Sequence, residues 1–438
     1  MTAKRSDLKQ QLLEQARRRS TSRASNAPSS EQGAEQRSVP ERFTRFDAQP
    51  GYQQIAMMRQ AAEQLGLIDP FFKVHEGTAG ATSVINGQTC INFASYNYLG
   101  FSGDPRINQA ACDAVARYGT SVSASRVVSG ERPIHQELEQ ALAKAYDVED
   151  AVAFVSGHAT NVSTLGYLLG SKDLVLHDEY IHNSSLVGAQ LSGAKRMSFS
   201  HNDPAALEAL LARHRHQFER VLVVIEGLYS MDGDVPELPH FIELKQRYQA
   251  WLMVDEAHSF GVMGDTGLGL REYFDIDSRD VDIWMGTMSK SMAGCGGYIA
   301  GSKPLVEMLR YLAPGFLYSV GMPAQVAAPS LMALELLQQE PERVQRLHSI
   351  SRYFLEQATA RGLDTGKSIG AAVVPVIIGS SAAAARLSHG LLAEHINVQP
   401  ILHPAVPEKS ARLRFFLSCD HTRSQVDQTL DALAKLLP

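Results

Sequence analysis

The chain has 438 residues, a formal net charge of −6 and 20% charged residues, an ordinary globular composition. That charge gives no global attraction to nucleic acid or to an anionic membrane, and no apolar run approaches the ~20 residues of a membrane-spanning helix. The four cysteines, Cys90, Cys112, Cys295 and Cys419, have neither metal-ligand nor disulfide spacing; with a polar N-terminus that lacks an apolar signal core, the expectation is a cytoplasmic protein.

Residues 1–48 read as a flexible extension. Ser6–Arg19 has the pattern of a short helix, with Ser6 as a cap and Leu8, Leu12 and Leu13 near one face. The Ser-rich stretch Ser20–Gly33 has almost no apolar anchor and reads as a linker. An N-terminal segment over 49–103 begins with a helix at Gln53–Leu67 and continues into a small strand pair, with turn signals in Val74-His-Glu-Gly77 and Val84-Ile-Asn-Gly-Gln88. It ends in Ile91-Asn-Phe-Ala-Ser-Tyr-Asn-Tyr-Leu-Gly100, where aromatic and amide side chains leave a strand before a glycine turn.

From 104 to 330 helices alternate with short apolar strands. The helices are read at Pro105–Tyr118, Ile134–Tyr146 and Ala159–Leu169. The strands are read at Ala151–Val155, Leu174–His177, Val221–Glu226, Trp251–Asp255 and Ile283–Gly286. Such alternation predicts a large α/β domain built on a mainly parallel sheet, with ligands gathering at the carboxyl ends of its strands. Residues 331–438 read as a smaller C-terminal α+β domain. Its expected elements are a largely helical Gln339–Gly362, an apolar strand in Ala371–Gly379, a helix over Ser381–His395, a half-buried strand at Arg412–Ser418 and a last helix over Arg423–Leu437.

The strand ends carry complementary groups. Ala151–Val155 leads into Ser156-Gly-His-Ala-Thr-Asn161, a small-residue turn opening a helix, which suits an anion such as phosphate. Later ends present His182, then Tyr229 and Ser230, then Asp255-Glu-Ala-His258, then Thr287 and Lys290. Lys290 sits among Thr287, Ser289, Ser291 and Gly294–Gly297, small residues that permit close approach; a lysine so held can form a Schiff base with a carbonyl cofactor. The alternative is a Gly-rich turn with one surface lysine. Asp255 leaves an apolar strand, where an unpaired charge is costly. A protonated pyridine nitrogen would satisfy it, and so would a helix cap or an ion pair. Arg412 and Arg414 suit a carboxylate, the alternative being an edge-strand charge pair.

Five motifs occur in order: Asn92–Gly100, His182-Asn-Ser-Ser185, Glu226-Gly-Leu-Tyr-Ser-Met-Asp-Gly-Asp234, Val254-Asp-Glu-Ala-His-Ser-Phe-Gly261 and Gly286-Thr-Met-Ser-Lys-Ser291. With them the chain from about residue 50 onward resembles the α-oxoamine synthases, fold type I enzymes dependent on pyridoxal 5'-phosphate. The resemblance implies that Lys290 carries the cofactor and later moves the substrate α-proton. It implies that Asp255 pairs with the pyridine nitrogen, His258 hydrogen-bonds the phenolic oxygen, His182 stacks on the ring and Ser230 lies near it. Thr287 and the backbone amides of Gly157 and His158 would hold phosphate. Arg414 would bind the amino-acid carboxylate, with Asn97 near the substrate. The family more often has Tyr or Phe where His158 stands.

The reaction implied is a decarboxylative condensation of glycine, alanine or serine with an acyl thioester to give an α-amino ketone. Tyr96 and Ser289-Lys290-Ser291 look more like the serine palmitoyltransferase branch, in which serine is the amino acid. The extension 1–48 and Pro70–Gly77 are similar to members found in polyketide and fatty-acyl assembly lines. That similarity admits an acyl carrier protein, as well as coenzyme A, as bearer of the acyl group. A homodimer is implied too. An aminotransferase of the same fold and a non-catalytic regulatory subunit remain as alternatives, though the latter would be expected to lack Lys290.

Overall fold

A computed structural model describes residues 39–64, 66 and 70–437. The helix expected over Ser6–Arg19 lies outside them. The described residues up to Gly66 belong to one compact unit and include a 3-10 turn at Glu41–Phe43 and a helix at Pro50–Gln64. The rest of the chain is the second unit.

That second unit opens with three short strands: β1 (His75–Glu76), β2 (Thr82–Ile85) and β3 (Gln88–Asn92). Asn86 and Gly87 both have positive φ, 52° and 72°, as a two-residue hairpin turn between twisted strands requires. Seven strands follow: β4 (Asp150–Phe154), β5 (Leu174–Asp178), β6 (Lys195–Phe199), β7 (Val221–Glu226), β8 (Trp251–Asp255), β9 (Ile283–Thr287) and β10 (Gly297–Gly301). They form one sheet in the order β4-β10-β9-β8-β7-β5-β6. All pairings are parallel except the two made by β10. The expected mainly parallel sheet is therefore present, with β10 running against its neighbours.

Both faces of this sheet are covered, which is why its inner strands are continuous apolar runs. Along β7, Val221, Val223 and Ile225 enter one apolar layer, and Leu222 and Val224 enter the other. The sequence reading lacked β6 and β10. β6 is a charged edge strand, Lys-Arg-Met-Ser-Phe, mostly exposed. β10 is a short glycine-bounded segment, fully buried. The helix expected from Ala159 begins at Gly157, capped by Ser156, so Gly157 and His158 are its first two residues.

The last strands are β11 (Val373–Ile377), β12 (Ile396–Asn397), β13 (Gln399–Ile401) and β14 (Arg412–Phe416). β11, β14 and β13 form a three-stranded sheet, whereas β12 joins β3 in parallel. Gln339–Gly362 is largely helical, as expected: one helix ends at Gln339, and another, Glu342–Ala360, begins after Pro341. One expectation is corrected here. The strand expected to be half-buried, β14, is buried at every residue, because β11 and β13 pair with its two edges. Among the described residues no helix is long and apolar enough to cross a membrane.

Candidate active site

The strand ends predicted to meet do meet. A cavity of about 300 Å³ lies at the carboxyl edge of the large sheet. Gly157, His158, His182, Ser230, Asp255, His258, Thr287, Lys290 and Arg414 all line it. Pleating explains the company: Glu226, Asp255 and Thr287 alternate onto the sheet face that also carries Leu222, Met253 and Ile283.

Asp255 is buried, with 4% of its surface exposed. Its Oδ2 accepts from Asn161 Nδ2 at 2.9 Å and its Oδ1 from the N–H of Ala257 at 3.0 Å. Among the described residues no lysine or arginine forms a salt bridge with it. A carboxylate so placed, with neutral donors only, has capacity for a cation entering the cavity.

Asn161 also donates to Ser184 Oγ, 2.9 Å away, and Ser184 Oγ lies 2.7 Å from His182 Nδ1. The amide nitrogen can only donate, so Ser184 accepts from it and passes its own hydroxyl proton to His182. The N–H of Ser184 points at the same Nδ1, at 3.3 Å. His182 therefore presents Nδ1 as acceptor and keeps its proton on Nε2. Burial, partly offset by Asp255, holds this ring below the ordinary imidazole range.

His258 is buried, and its Nδ1 shares a 2.8 Å hydrogen bond with the hydroxyl of Tyr98. Desolvation, then the nearby Lys290 and Arg414 charges, push His258 well below the usual imidazole range. The same burial raises the Tyr98 phenol. Lys290 is pushed down to about 8 by burial, against the pull of Asp255 and Glu226. Its ammonium lies 5.6 Å from the ring centre of Tyr96.

The two arginines of β14 separate. Arg412 Nη1 pairs with Asp232 Oδ1 at 2.6 Å and also donates to the carbonyl of Met231. Arg414 has no acidic partner among the described residues. Its Nη1 donates to the carbonyl of Ser230 at 3.0 Å, its guanidinium lies over Phe416 at 4.4 Å, and its buried Nε is unpartnered. The pair of carboxylate-binding arginines read from sequence thus reduces to one: Arg412 is already spent on Asp232.

The start of the helix at Gly157 packs tightly against Thr287. A Cβ on Gly157 would stand 2.8 Å from Thr287 Oγ1, so only glycine leaves that space open. As the first two residues of their helix, Gly157 and His158 have N–H groups with no partner inside it. An aromatic ring with a basic nitrogen, a phosphate and a carbonyl would thus meet Asp255, the helix start and Lys290 in one cavity.

Asn97 is placed differently. Its side chain closes its own loop, exchanging hydrogen bonds with the carbonyl and N–H of Ser102 at 3.1 and 3.0 Å. It lines a second cavity of about 320 Å³. Tyr96 and Lys290 border both cavities and form the wall between them. Glu226, Asn161 and Ser184 line the main cavity but had not been singled out from sequence. All three lie within or beside quoted motifs. Only the strand register and the helix start show that they face inward.

Comparison with known proteins agrees with this chemistry. The family model of class I and II aminotransferases matches residues 88–433. An 8-amino-7-oxononanoate synthase of Symbiobacterium thermophilum is 40% identical over 374 residues, 85% of this chain and 95% of that protein. 8-amino-7-oxononanoate synthase 1 of Bacillus subtilis is 37% identical, covering 82% and 91%. Among solved structures, serine palmitoyltransferase of S. paucimobilis with a bound PLP–myriocin aldimine superposes with a TM-score of 0.85 at 29% identity, covering 88% of this chain and 97% of that one. 8-amino-7-oxononanoate synthase of Francisella tularensis superposes at 0.69 with 25% identity, covering 79% and 97%. With the fold, the lysine-bearing cavity and these relatives in agreement, the chain belongs to the α-oxoamine synthases, the pyridoxal-phosphate-dependent branch of the class I and II aminotransferase family that condenses an amino acid with an acyl thioester.

Proposed function

We propose that the main cavity binds pyridoxal phosphate and one small amino acid (glycine, alanine or serine), and that Lys290 is the group that carries the cofactor and moves the α-proton. The observation that carries the substrate half is Arg414. It is a buried guanidinium with no acidic partner, in one cavity with Lys290 and Asp255. Burying a lone charge is costly, and a substrate carboxylate is the partner that relieves the cost, through bidentate hydrogen bonds.

When bound, pyridoxal phosphate supplies an electron-withdrawing ring that lets the α-proton of an amino acid leave near neutral pH. Asp255 holds the proton on the ring nitrogen, and Asn161 holds Asp255. The amides of Gly157 and His158, with the Thr287 hydroxyl, bind phosphate at a helix start, where the dipole favours an anion. His258 stays neutral. With Tyr98 donating to its Nδ1, its Nε2–H is free to donate to the phenolic oxygen. His182, fixed by Ser184, would stack on the ring. Lys290, lowered to about 8 by burial, reaches its neutral form far more readily near neutral pH than an ordinary lysine, as a proton-moving amine requires. Ser230 acts through its carbonyl, which holds Arg414.

The second cavity, on the far side of Tyr96 and beside Asn97, supports entry of the acyl thioester there, whether borne by coenzyme A or by an acyl carrier protein. We further propose a homodimer, supported by exposed apolar residues such as Tyr311, Tyr318 and Val128, and a cytoplasmic location.

The test is the visible absorption spectrum of the purified protein, titrated with glycine, alanine and serine in turn. A cofactor band that shifts with one of them, and that Lys290→Ala abolishes, is the expected result and names the amino acid. No band after adding pyridoxal phosphate would return the chain to the regulatory-subunit alternative.

A further inference from the structure

Outside the cavity, one imidazole ring joins two of its loops. His201 follows β6. Its Nδ1 is 3.0 and 3.2 Å from the two carboxylate oxygens of Asp178, and its Nε2 is 2.9 Å from Asp234 Oδ2. Carboxylates accept and do not donate, so each ring nitrogen needs its own proton. A neutral ring would turn one lone pair against a carboxylate. All three side chains are nearly excluded from solvent. Burial opposes the charge, but the two carboxylates outweigh it and raise His201 to about 9.

Other groups face the ring. Tyr180 stacks on it at 4.5 Å and Tyr229 meets it edge-on at 4.5 Å, while Glu179 Oε1 accepts from the backbone N–H of His201 and not from the ring. Among the described residues no lysine or arginine hydrogen-bonds to Asp178 or Asp234, so His201 is the cation of the cluster. Asn202 reinforces it: its N–H donates to Asp178 Oδ2 at 2.7 Å and its Nδ2 to Asp234 Oδ2 at 3.0 Å.

The two acids belong to different loops of the active site. Asp178 ends β5, and its Oδ1 and carbonyl accept from the N–H groups of Tyr180 and Ile181, which lead directly to His182. Asp234 closes the loop after β7, where its carbonyl accepts from the N–H of Tyr229. That loop carries Ser230, whose carbonyl holds Arg414.

We propose that His201 is a positioning residue: a charged imidazolium that clamps the His182 loop to the Ser230 loop, and so sets where Arg414 meets the amino-acid carboxylate. The proposal rests on the amino-acid-binding reading of the cavity. Without the charge, two buried carboxylates face each other with neutral donors only, and the Ser230 carbonyl is no longer held against Arg414.

The test uses holoenzyme. Nitrogen-15 NMR of histidine-labelled protein at pH 7.5 reads the ring, with His201→Gln identifying the signal. Two protonated ring nitrogens are expected, and a neutral ring overturns the proposal. Absorption titration with the amino acid that shifts the wild-type band gives the dissociation constant. It is expected to rise roughly 10–100-fold in His201→Gln, the range of a lost hydrogen bond to a charged group, while the cofactor band persists. His201→Arg, charged at every accessible pH, should bind within a few-fold of wild type at pH 7.5 and lose any extra weakening above pH 9. A lower melting temperature in His201→Gln with an unchanged amino-acid constant would make His201 a structural ion pair only and sink the proposal. If the Gln variant does not fold, the wild-type NMR and the Arg variant still decide. No amino-acid shift in wild type, by contrast, counts against the function proposed above.

Discussion

Glu226 and Asp255 stand opposite one another on adjacent parallel strands, and both side chains face the same cavity. Two buried carboxyls at neighbouring positions cannot both ionise cheaply. Burial first, then the charge of Asp255, raises Glu226 to about 8, so Glu226 holds the proton and Asp255 is left to act as the anion. Glu226→Gln copies the neutral form, and turnover at pH 7 should stay close to wild type. Asp255→Asn removes the charge proposed to hold the ring proton. Losing one partner of a buried pair costs about 3–5 kcal/mol, so kcat should fall by about 10²–10⁴-fold. Steady-state kinetics of the two variants, side by side, check the assignment. The folded-state value for Glu226 lies above its ordinary 4.5, so wild-type stability is lost as pH rises from about 4.5 to 8. Melting curves of Glu226→Gln should be flatter over that window.

Asn161 links Asp255 to His182 through Ser184. Asn161→Ala leaves Asp255 with a single backbone donor and Ser184 free to turn away from His182. A lost hydrogen bond to a charged group is worth about 1.5–3 kcal/mol. A fall of roughly 10–100-fold in kcat/KM is expected, with the cofactor band shifted in wavelength and not abolished. An unaltered spectrum and rate would show that the Asn161–Ser184 link is idle.

Gly157 keeps the anion cradle open. Gly157→Ala places a methyl 2.8 Å from Thr287 Oγ1, in the space assigned to phosphate. Cofactor affinity should drop by about tenfold or more, as for the loss of a charge-assisted hydrogen bond. Helix propensity pulls the other way, because Ala stabilises a helix relative to Gly. A variant that melts no lower than wild type without cofactor, yet binds it more weakly in equilibrium dialysis, separates the two effects.

Lys290 gives a pH signature for cofactor uptake. Its amine is lowered to about 8, and only the neutral amine attacks a carbonyl. The rate at which cofactor-free protein takes up pyridoxal phosphate should therefore climb as pH rises and level off above about 8, instead of climbing toward the ordinary lysine value of 10.5. Stopped-flow absorbance reads it directly.

Much of this site is legible in the sequence because polar groups at the ends of apolar strands have few structural excuses. Val254-Asp255 and Trp284–Lys290 announce themselves as a carboxylate and an amine leaving a buried sheet. Strand order and register are another matter. Arg412 and Arg414 are equivalent by composition and parity, and only the position of Asp232 in a distant loop spends one and frees the other. Glu226 reads as the last residue of a buried strand, and its inward direction follows from pairing with Asp255. β10 escaped because five residues bounded by glycines carry no periodic signal. His201 lies outside every quoted motif, and its two acidic partners come from separate loops.

The wall formed by Tyr96 and Lys290 between the two cavities has a kinetic consequence. One amine can be reached from two directions, so two reactants need not queue at a single doorway. An inert molecule lodged on the Asn97 side would obstruct one route and leave the other open. It would compete with the acyl donor while the amino acid continued to shift the spectrum.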